Sequence, residues 1–206
     1  MHTPCNPLAG GEQRAGKFGI IRNVNTNQRR REEMTENDIA RLMDEYRTNV
    51  RALFDKRASD VIDNSSYRHA SVLIEEMVRH AQHTFIAFAG RMNPQVWTPQ
   101  VMNALADAVQ RGVNVRLLVE RNCEPISNGS MPHPVQERVR RISEEYLGKI
   151  GDISHCASGD SESFRIEMDR VQNSAVFAAN NPEIASKVVG IFDALFEMGE
   201  PYNHAA

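Results

Sequence analysis

The feature that most constrains the fold is a change of hydrophobic period near the middle of the chain. Residues Thr84–Ala89 form a short apolar run that ends at Gly90, a pattern typical of a buried strand. Pro99–Gly112 then places its apolar side chains on one helical face, with the glycine as a stop signal, and Val113–Val119 is apolar again. Because short links join strand, helix and strand, the sequence predicts a β-α-β unit with parallel strands.

Two amphipathic helices are predicted before this unit. Thr35 is of the residue type that caps a helix start, and apolar residues then recur at helical spacing as far as Phe54. Residues 59–66 are polar and interrupt the pattern, and a second helix is predicted over Tyr67–His83. We therefore expect three parts: a flexible segment at 1–34, a helical extension at 35–66 and an α/β domain at 67–206.

The pattern after the β-α-β unit predicts a loop, a helix, three strands and a closing helix. In chain order these are the loop Asn122–Pro134, the helix Pro134–Tyr146, the strands Lys149–His155, Ser163–Met168 and Ser174–Ala179, and the helix Pro182–Met198. The expected fold class is α/β. It has a mixed sheet with the order β-α-β-α-β-β-β-α, covered by helices and preceded by the N-terminal helical extension.

The composition of the chain says more about where the protein acts in the cell than about what it does. A net charge of −3 and a pI near 6.2 provide no overall attraction to nucleic acid or to an anionic membrane. Three cysteines without C-x-x-C spacing argue against a disulfide scaffold. No apolar run approaches the ~18–20 residues of a membrane span, and no secretory signal is evident at the N-terminus. We expect a cytoplasmic protein with no membrane association.

The common motifs of catalysis are absent from the sequence. Neither a glycine-rich phosphate loop nor G-x-S-x-G occurs. His80 and His83 supply two metal ligands at most near a helix end, so no metal site is predicted. His155 and Cys156 are adjacent on a predicted strand, where side chains point to opposite faces, and cannot pair as base and nucleophile. No cofactor is expected.

The roles of a few other residues depend on the fold. Glu167 and Asp169 are two apart, so on a regular strand they share a face. Such a pair is able to bind a metal or perform acid–base chemistry, although exposed acidic strand faces are commoner. The single tryptophan, Trp97, lies between Pro94 and Pro99 and is expected to pack at the edge of the sheet.

Two stretches of the chain together resemble the phospholipase-D-like superfamily. The first, Ala70–Val119, resembles the opening helix, strand, helix and strand of that family, including an Arg-Gly-Val-x-Val-Arg run at Arg111–Arg116. The second, Phe164–Asp169 followed by Ala175–Asn181, is similar to the signature hairpin, in which His-x-Lys leads to an aspartate and then to a strand ending in asparagine. The resemblance extends over Tyr67–Phe196.

The departures from the family motif bear directly on activity. The resemblance places Ser163 at the histidine nucleophile, Arg165 at the phosphate-holding lysine and Asp169 one residue before the acidic position. Serine cannot replace an imidazole that attacks phosphorus and then leaves, whereas Arg165 can hold a phosphate oxygen. The resemblance implies no catalytic residues and a binding set of Ser163, Arg165, Asp169 and Asn180. The alternative is a degenerate phosphodiesterase or nuclease that uses His155, Arg165 and Asp169.

The expected function is therefore that of a non-catalytic binding or regulatory protein. Members with one motif per chain resemble halves that pair about a two-fold axis, so a homodimer is expected. A protein partner or self-association is the leading expectation, and a nucleic acid or nucleotide is the second. Placement in a bacterial or phage process, such as defence or a mobile element, is an analogy at the level of fold. A helical adaptor built on the N-terminal helices is a third alternative.

Overall fold

The computed structural model describes residues 35–120, 131–151, 153–169 and 174–202. The chain divides into two compact units, 1–39 and 40–206. In the first unit, the described residues form a reciprocal helix cap. Thr35 Oγ1 accepts from the N–H of Asp38 at 3.2 Å, and the Asp38 carboxylate accepts from the backbone N–H of Thr35 at 3.2 Å. This is the arrangement of a capping box, and it confirms the predicted helix start.

The described part of the chain contains six helices and eight strands. The helices are α1 (Glu36–Asp55), α2 (Tyr67–His80), α3 (Pro99–Gln110), α4 (His133–Gln136), α5 (Glu144–Ile150) and α6 (Pro182–Met198). The strands are β1 (Ile62–Asn64), β2 (Thr84–Phe88), β3 (Asn114–Glu120), β4 (Val139–Ile142), β5 (Cys156–Gly159), β6 (Ser163–Asp169), β7 (Ser174–Ala178) and β8 (Glu200–Pro201).

All eight strands form one mixed sheet in the order β1-β7-β6-β5-β2-β3-β4-β8. The pairs β2–β3 and β3–β4 are parallel, and the remaining neighbours are antiparallel. The predicted α/β class and the parallel β-α-β unit are thereby confirmed. None of the helices in the described part is sufficiently long and apolar to cross a membrane.

Helices cover both faces of the sheet. On one face, α1, α2, α3 and α4 pack with the inward side chains of the strands, including Phe85, Leu117 and Phe177. On the other face, α6 packs Phe192 and Phe196 against β2, β3 and β6. Because both faces are covered, the central strands are apolar throughout rather than alternating, which is why they appeared in the sequence as continuous runs.

Two predicted elements in the middle of the chain are wrong. The predicted helix 134–146 is a short helix, α4, followed by strand β4 and then by the start of α5. Val139 and Ile142 have helical spacing, but they belong to a strand that pairs with the open edge of β3. The predicted strand 149–155 is also wrong, because residues 149–150 end α5, and Gly151 (φ +90°) follows as its cap.

Residues 62–64, which the sequence placed in a polar break, form an edge strand that pairs with β7. The division of the chain at residues 34 and 66 stays a prediction. The predicted flexible segment at 1–34 and most of the predicted loop at 122–134 lie outside the described residues.

Candidate functional site

Four strands of the sheet bring polar side chains to one edge. Parallel β2 and β3 end there, which places Arg91 just beyond β2 and Glu120 at the end of β3. Antiparallel β5 begins at the same edge, immediately after His155. Strand β6 returns beside β5, and the N–H of Glu167 donates to the carbonyl oxygen of His155 at 2.9 Å. The topology therefore gathers these four residues from distant parts of the sequence.

The imidazole of His155 lies between two carboxylates. Its Nδ1 atom is 2.6 Å from Oε2 of Glu167, and its Nε2 atom is 3.7 Å from Oε1 of Glu120. The ring meets Phe88 edge-on, with 5.3 Å between centroids, and it rests on the backbone of Gly90. A Cβ at Gly90 would lie 2.1 Å from Nε2 of His155, so only glycine allows this approach.

The charges around Glu120 hold it ionised. The His155 imidazole and the Arg91 guanidinium lower the pKa of this carboxyl, although its partial burial acts in the opposite direction. Nε of Arg91 donates to Glu120 at 3.1 Å, and the same guanidinium reaches Glu144 at 3.4 Å. Next to this cluster, Cys156 belongs to the core on the opposite face of the sheet, as predicted, and burial raises the pKa of its thiol to about 11.

Arg165 supplies a buried cation to the same face of the sheet. It precedes Glu167 by two residues on β6, and only 7% of it is exposed. One terminal nitrogen donates to Oδ1 of Asn64 at 3.3 Å, whereas Nε has no hydrogen-bond partner within the described ranges. Burial lowers the pKa of Arg165, and the charges of Glu167 and Tyr46 offset part of this effect. Because a buried guanidinium is costly without an acceptor, this site is suited to an anion.

Arg165 and the His155 cluster line one cavity of about 350 Å³. Its polar lining is Arg91, Glu120, His155, Arg165 and Glu167, with Ser66 and Asn93, and its apolar wall includes Tyr67, Ile74, Phe88, Val96 and Trp97. Among the described residues there is no group of three or more histidine, cysteine or carboxylate side chains that is able to hold a metal ion. The chemistry that this lining supports is the binding of a partly apolar anion.

Two of the predicted binding residues lie at the far end of β6 from this cavity. The hydroxyl of Ser163 accepts from the N–H of Gly159 at 3.2 Å and donates to the carbonyl oxygen of the same residue at 3.3 Å. The side-chain amide of Asn180 donates to the Arg57 carbonyl oxygen at 3.2 Å, near an ion pair between Arg57 and Glu162. Ser163 and Asn180 thus have hydrogen-bonding roles in the turns of the sheet.

Asp169 is separated from the cavity by an irregularity in β6. Between Glu167 and Asp169 the register against β7 shifts, so that Asp169 is opposite Ser174 while Glu167 is opposite Ala175. Strand β6 is therefore not regular between these two carboxylates, and regularity was the condition for the expectation that they share a face. Of the residues predicted from the family motif and its alternative, the structure brings only His155 and Arg165 to the cavity.

Two polar residues that shape the cavity, Arg91 and Glu120, were not predicted from the sequence. Arg91 and Glu120 follow or end parallel strands, and the carboxyl ends of such strands are the usual place for a site in an α/β sheet. The ends of both strands were predicted from the sequence, but no sequence motif marks the residues that lie there. Trp97, which was predicted to pack at the sheet edge, is 8% exposed and contributes to the cavity wall.

Comparison with known proteins supports the fold. No protein-family model matches the chain, and no curated protein matches it. Among solved structures, the chain is similar to TrmBL2, an archaeal chromatin protein, with a TM-score of 0.52 and 14% identity over 86% of this chain and 67% of that one. This likeness shows a shared fold.

Two further solved structures are similar to a smaller part of the chain. Nuc from Salmonella typhimurium, a phospholipase D family member, has a TM-score of 0.49 and 17% identity, over 70% of this chain and 99% of that one. NucT from Helicobacter pylori has a TM-score of 0.44 and 10% identity, over 69% and 100% of the two chains.

Proposed function

We propose that this protein is a phospholipase-D-like module that binds a phosphate-bearing ligand in the cavity without hydrolysing it. The observation that carries the proposal is Arg165, a buried guanidinium whose Nε atom has no hydrogen-bond partner among the described residues. Phosphate and carboxylate oxygens are the acceptors that form strong charge-assisted hydrogen bonds with a guanidinium. Arg165 also occupies the position at which the family resemblance places the phosphate-holding lysine.

Two features support binding rather than hydrolysis. The position of the family nucleophile holds Ser163, whose hydroxyl is hydrogen-bonded within its own hairpin. The imidazole of His155 has Glu167 at one nitrogen and Glu120 at the other. An imidazole held in this way joins two acidic side chains, whereas a nucleophile must present a lone pair to phosphorus.

The biological setting of the module is part of the same proposal. We propose a binding or regulatory role in the cytoplasm, as a homodimer or as a subunit of a larger complex. TrmBL2, which has a similar fold, is described as binding DNA by a novel mode, so DNA belongs among the ligands to test. Light scattering on the purified protein tests the dimer, for which a monomer at micromolar concentration is the contrary result.

The binding proposal is tested by calorimetry with inorganic phosphate, pyrophosphate and a short duplex DNA. We expect at least one of them to bind the wild type and to lose tenfold or more in affinity in Arg165→Met, with partial recovery in Arg165→Lys. Arg41→Met is the matched control, because Arg41 is exposed and forms a surface ion pair with Glu45 at 3.1 Å. Equal affinity in Arg165→Met and the wild type would refute the proposal.

A second candidate function, residual phosphodiesterase activity, is favoured by the 2.6 Å contact between His155 and Glu167. A carboxylate at Nδ1 orients an imidazole and raises its basicity. His155 would then take a proton from water as the water oxygen attacks phosphorus. The phosphorus–oxygen ester bond breaks, and the departing oxygen keeps its electron pair and receives a proton from solvent.

The two candidates are separated by an assay with an activated phosphodiester, with and without a chelator. The binding proposal expects no turnover above the uncatalysed rate. Turnover that survives purification and is abolished in His155→Ala would establish the phosphodiesterase in its place.

A further inference from the structure

The cavity identifies a narrower class of ligand, and the geometry points to a mononucleotide: one phosphate monoester joined to one aromatic base. This inference rests on the proposed function, because it assigns the phosphate to Arg165. It goes further by giving the remaining lining a role and by excluding a polymer as the preferred ligand.

The phosphate end of the cavity combines two sources of positive potential. Arg165 lines it with a buried side chain whose Nε atom has no partner within the described ranges, and Ser66, the N-cap of α2, lines it as well. Helix α2 has 14 residues, and its cap is formed by Ser66 Oγ, which accepts from the N–H of His69 at 3.1 Å. The first N–H groups of a helix favour an anion, so the guanidinium and the helix start act on the same group.

The apolar part of the lining is an aromatic and aliphatic wall. Tyr67, Phe88 and Trp97 contribute to it together with Val96 and Ile74. Inorganic phosphate would leave this wall without a partner. A nucleobase of any kind, by contrast, stacks on aromatic side chains, because every base has a flat π-face. The volume of about 350 Å³ is at the lower end of the range that encloses small molecules, ~300–1,000 Å³. It therefore has room for one nucleotide and not for a run of stacked bases.

The two carboxylates of the cavity disfavour a ligand with a second phosphate. Glu120 and Glu167 lie on the lining beside His155, and the low pKa of Glu120 keeps it negative. A polynucleotide or a polyphosphate would bring more negative charge toward these groups than a monophosphate does. Carboxylates also accept hydrogen bonds from ribose hydroxyls and from base amino groups.

The single tryptophan of the chain makes the inference directly measurable. Trp97 is the only fluorophore of its kind, and a base stacked in the cavity would change its emission. We therefore titrate the full chain with AMP, adenosine, ribose 5-phosphate, inorganic phosphate and a 12-nucleotide single strand, following fluorescence and confirming each affinity by calorimetry.

We expect AMP to bind at least tenfold more tightly than ribose 5-phosphate, because only AMP carries a base that stacks on the wall; this ratio corresponds to about 1.4 kcal/mol. AMP is also expected to bind more tightly than adenosine and than the single strand. Affinity for ribose 5-phosphate equal to that for AMP would overturn the inference and leave the proposed function intact. Tighter binding of the single strand would do the same. Absence of binding by every phosphate would overturn both.

Variants locate the base within the cavity. Tyr67→Leu and Trp97→Phe, measured by calorimetry, are expected to weaken AMP more than ribose 5-phosphate. The matched control is Tyr202→Leu, because Tyr202 stacks under Arg141 at 3.6 Å and does not line the cavity. Equal losses for the two ligands in both cavity variants would contradict the assignment of the wall to the base, and the ligand series on the wild type decides the inference if a variant does not fold.

Discussion

The contact between His155 and Gly90 allows a sharp test of how the site is built. In Gly90→Ala the new Cβ would meet Nε2 of His155 at 2.1 Å, so the imidazole has to leave Glu167 and Glu120. The backbone at residue 90 also has φ +55°, which costs alanine about 1–2 kcal/mol. Loss of a charged hydrogen bond adds about 1.5–3 kcal/mol. The expected loss of unfolding free energy is about 2.5–5 kcal/mol.

Gly112→Ala is the matched control for the backbone. Gly112 also has a left-handed conformation, at φ +86°, and nothing lies within 4 Å of its added Cβ. It should therefore lose only the backbone contribution of about 1–2 kcal/mol. The effect of alanine on the unfolded chain is common to both variants and cancels in the comparison.

The assay is urea unfolding followed by circular dichroism at neutral pH. Gly90→Ala should be less stable than Gly112→Ala by about 1.5–3 kcal/mol. In a His155→Ala background, which removes the clashing ring, the cost of Gly90→Ala should fall to that of the control. Equal losses in the two single variants, within about 0.5 kcal/mol, would refute the view that Gly90 is required by the position of His155.

Three further outcomes follow from the buried charges and the buried thiol. With the other two cysteines replaced by serine, Cys156 should react with a disulfide reagent at least tenfold more slowly in the folded than in the unfolded chain, because its thiol pKa is about 11; equal rates would contradict its burial. The pKa of Glu120 is lowered on folding, so its stabilisation is full above the ordinary value of 4.5 and is lost as the pH falls through the folded value. The free energy of unfolding, measured across this pH range, should therefore fall less steeply with acid in Glu120→Gln than in the wild type. The same acid dependence in both proteins would count against this role of Glu120. Glu76 is 1% exposed and pairs with Arg47 and Arg51 of α1, each at 3.0 Å. Because Glu76→Ala removes this buried carboxylate, it should lower the free energy of unfolding by about 3–5 kcal/mol. A loss below about 1 kcal/mol in urea unfolding would show that these pairs contribute little.

The sequence was most informative where hydrophobic period and local capping agree. The strands at residues 84–88 and 114–120 and the helix between them have strong local signals, and all three formed as predicted. Residues 139–142 show the limit of that reasoning. Their apolar spacing is compatible with a helix, and only the open edge of β3 makes them a strand, which is information from a distant part of the chain.

The candidate site divides in the same way. Arg165 was identified from its place in a motif, and the structure places it in the cavity. Ser163, Asp169 and Asn180 belong to the same motif, but a hairpin hydrogen bond, a shift of register and a turn place them elsewhere. A linear motif specifies which residues are close in sequence, and it does not specify the face or the end of a strand to which each side chain points once a bulge intervenes.

By itself the sequence determined the α/β class, because the hydrophobic periods of strands (2 residues) and helices (3.6 residues) are visible within short segments of the chain. It also determined that residue 163, where the family resemblance places the nucleophilic histidine, is a serine. Only the tertiary structure decided that Glu120, His155, Arg165 and Glu167 line one cavity with Trp97. Glu120 comes from β3, Arg165 and Glu167 come from β6, and His155 and Trp97 lie outside the strands. The parallel and antiparallel pairing of β2, β3, β5 and β6 sets the distances between them. Strand order arises from long-range contacts that no local pattern encodes.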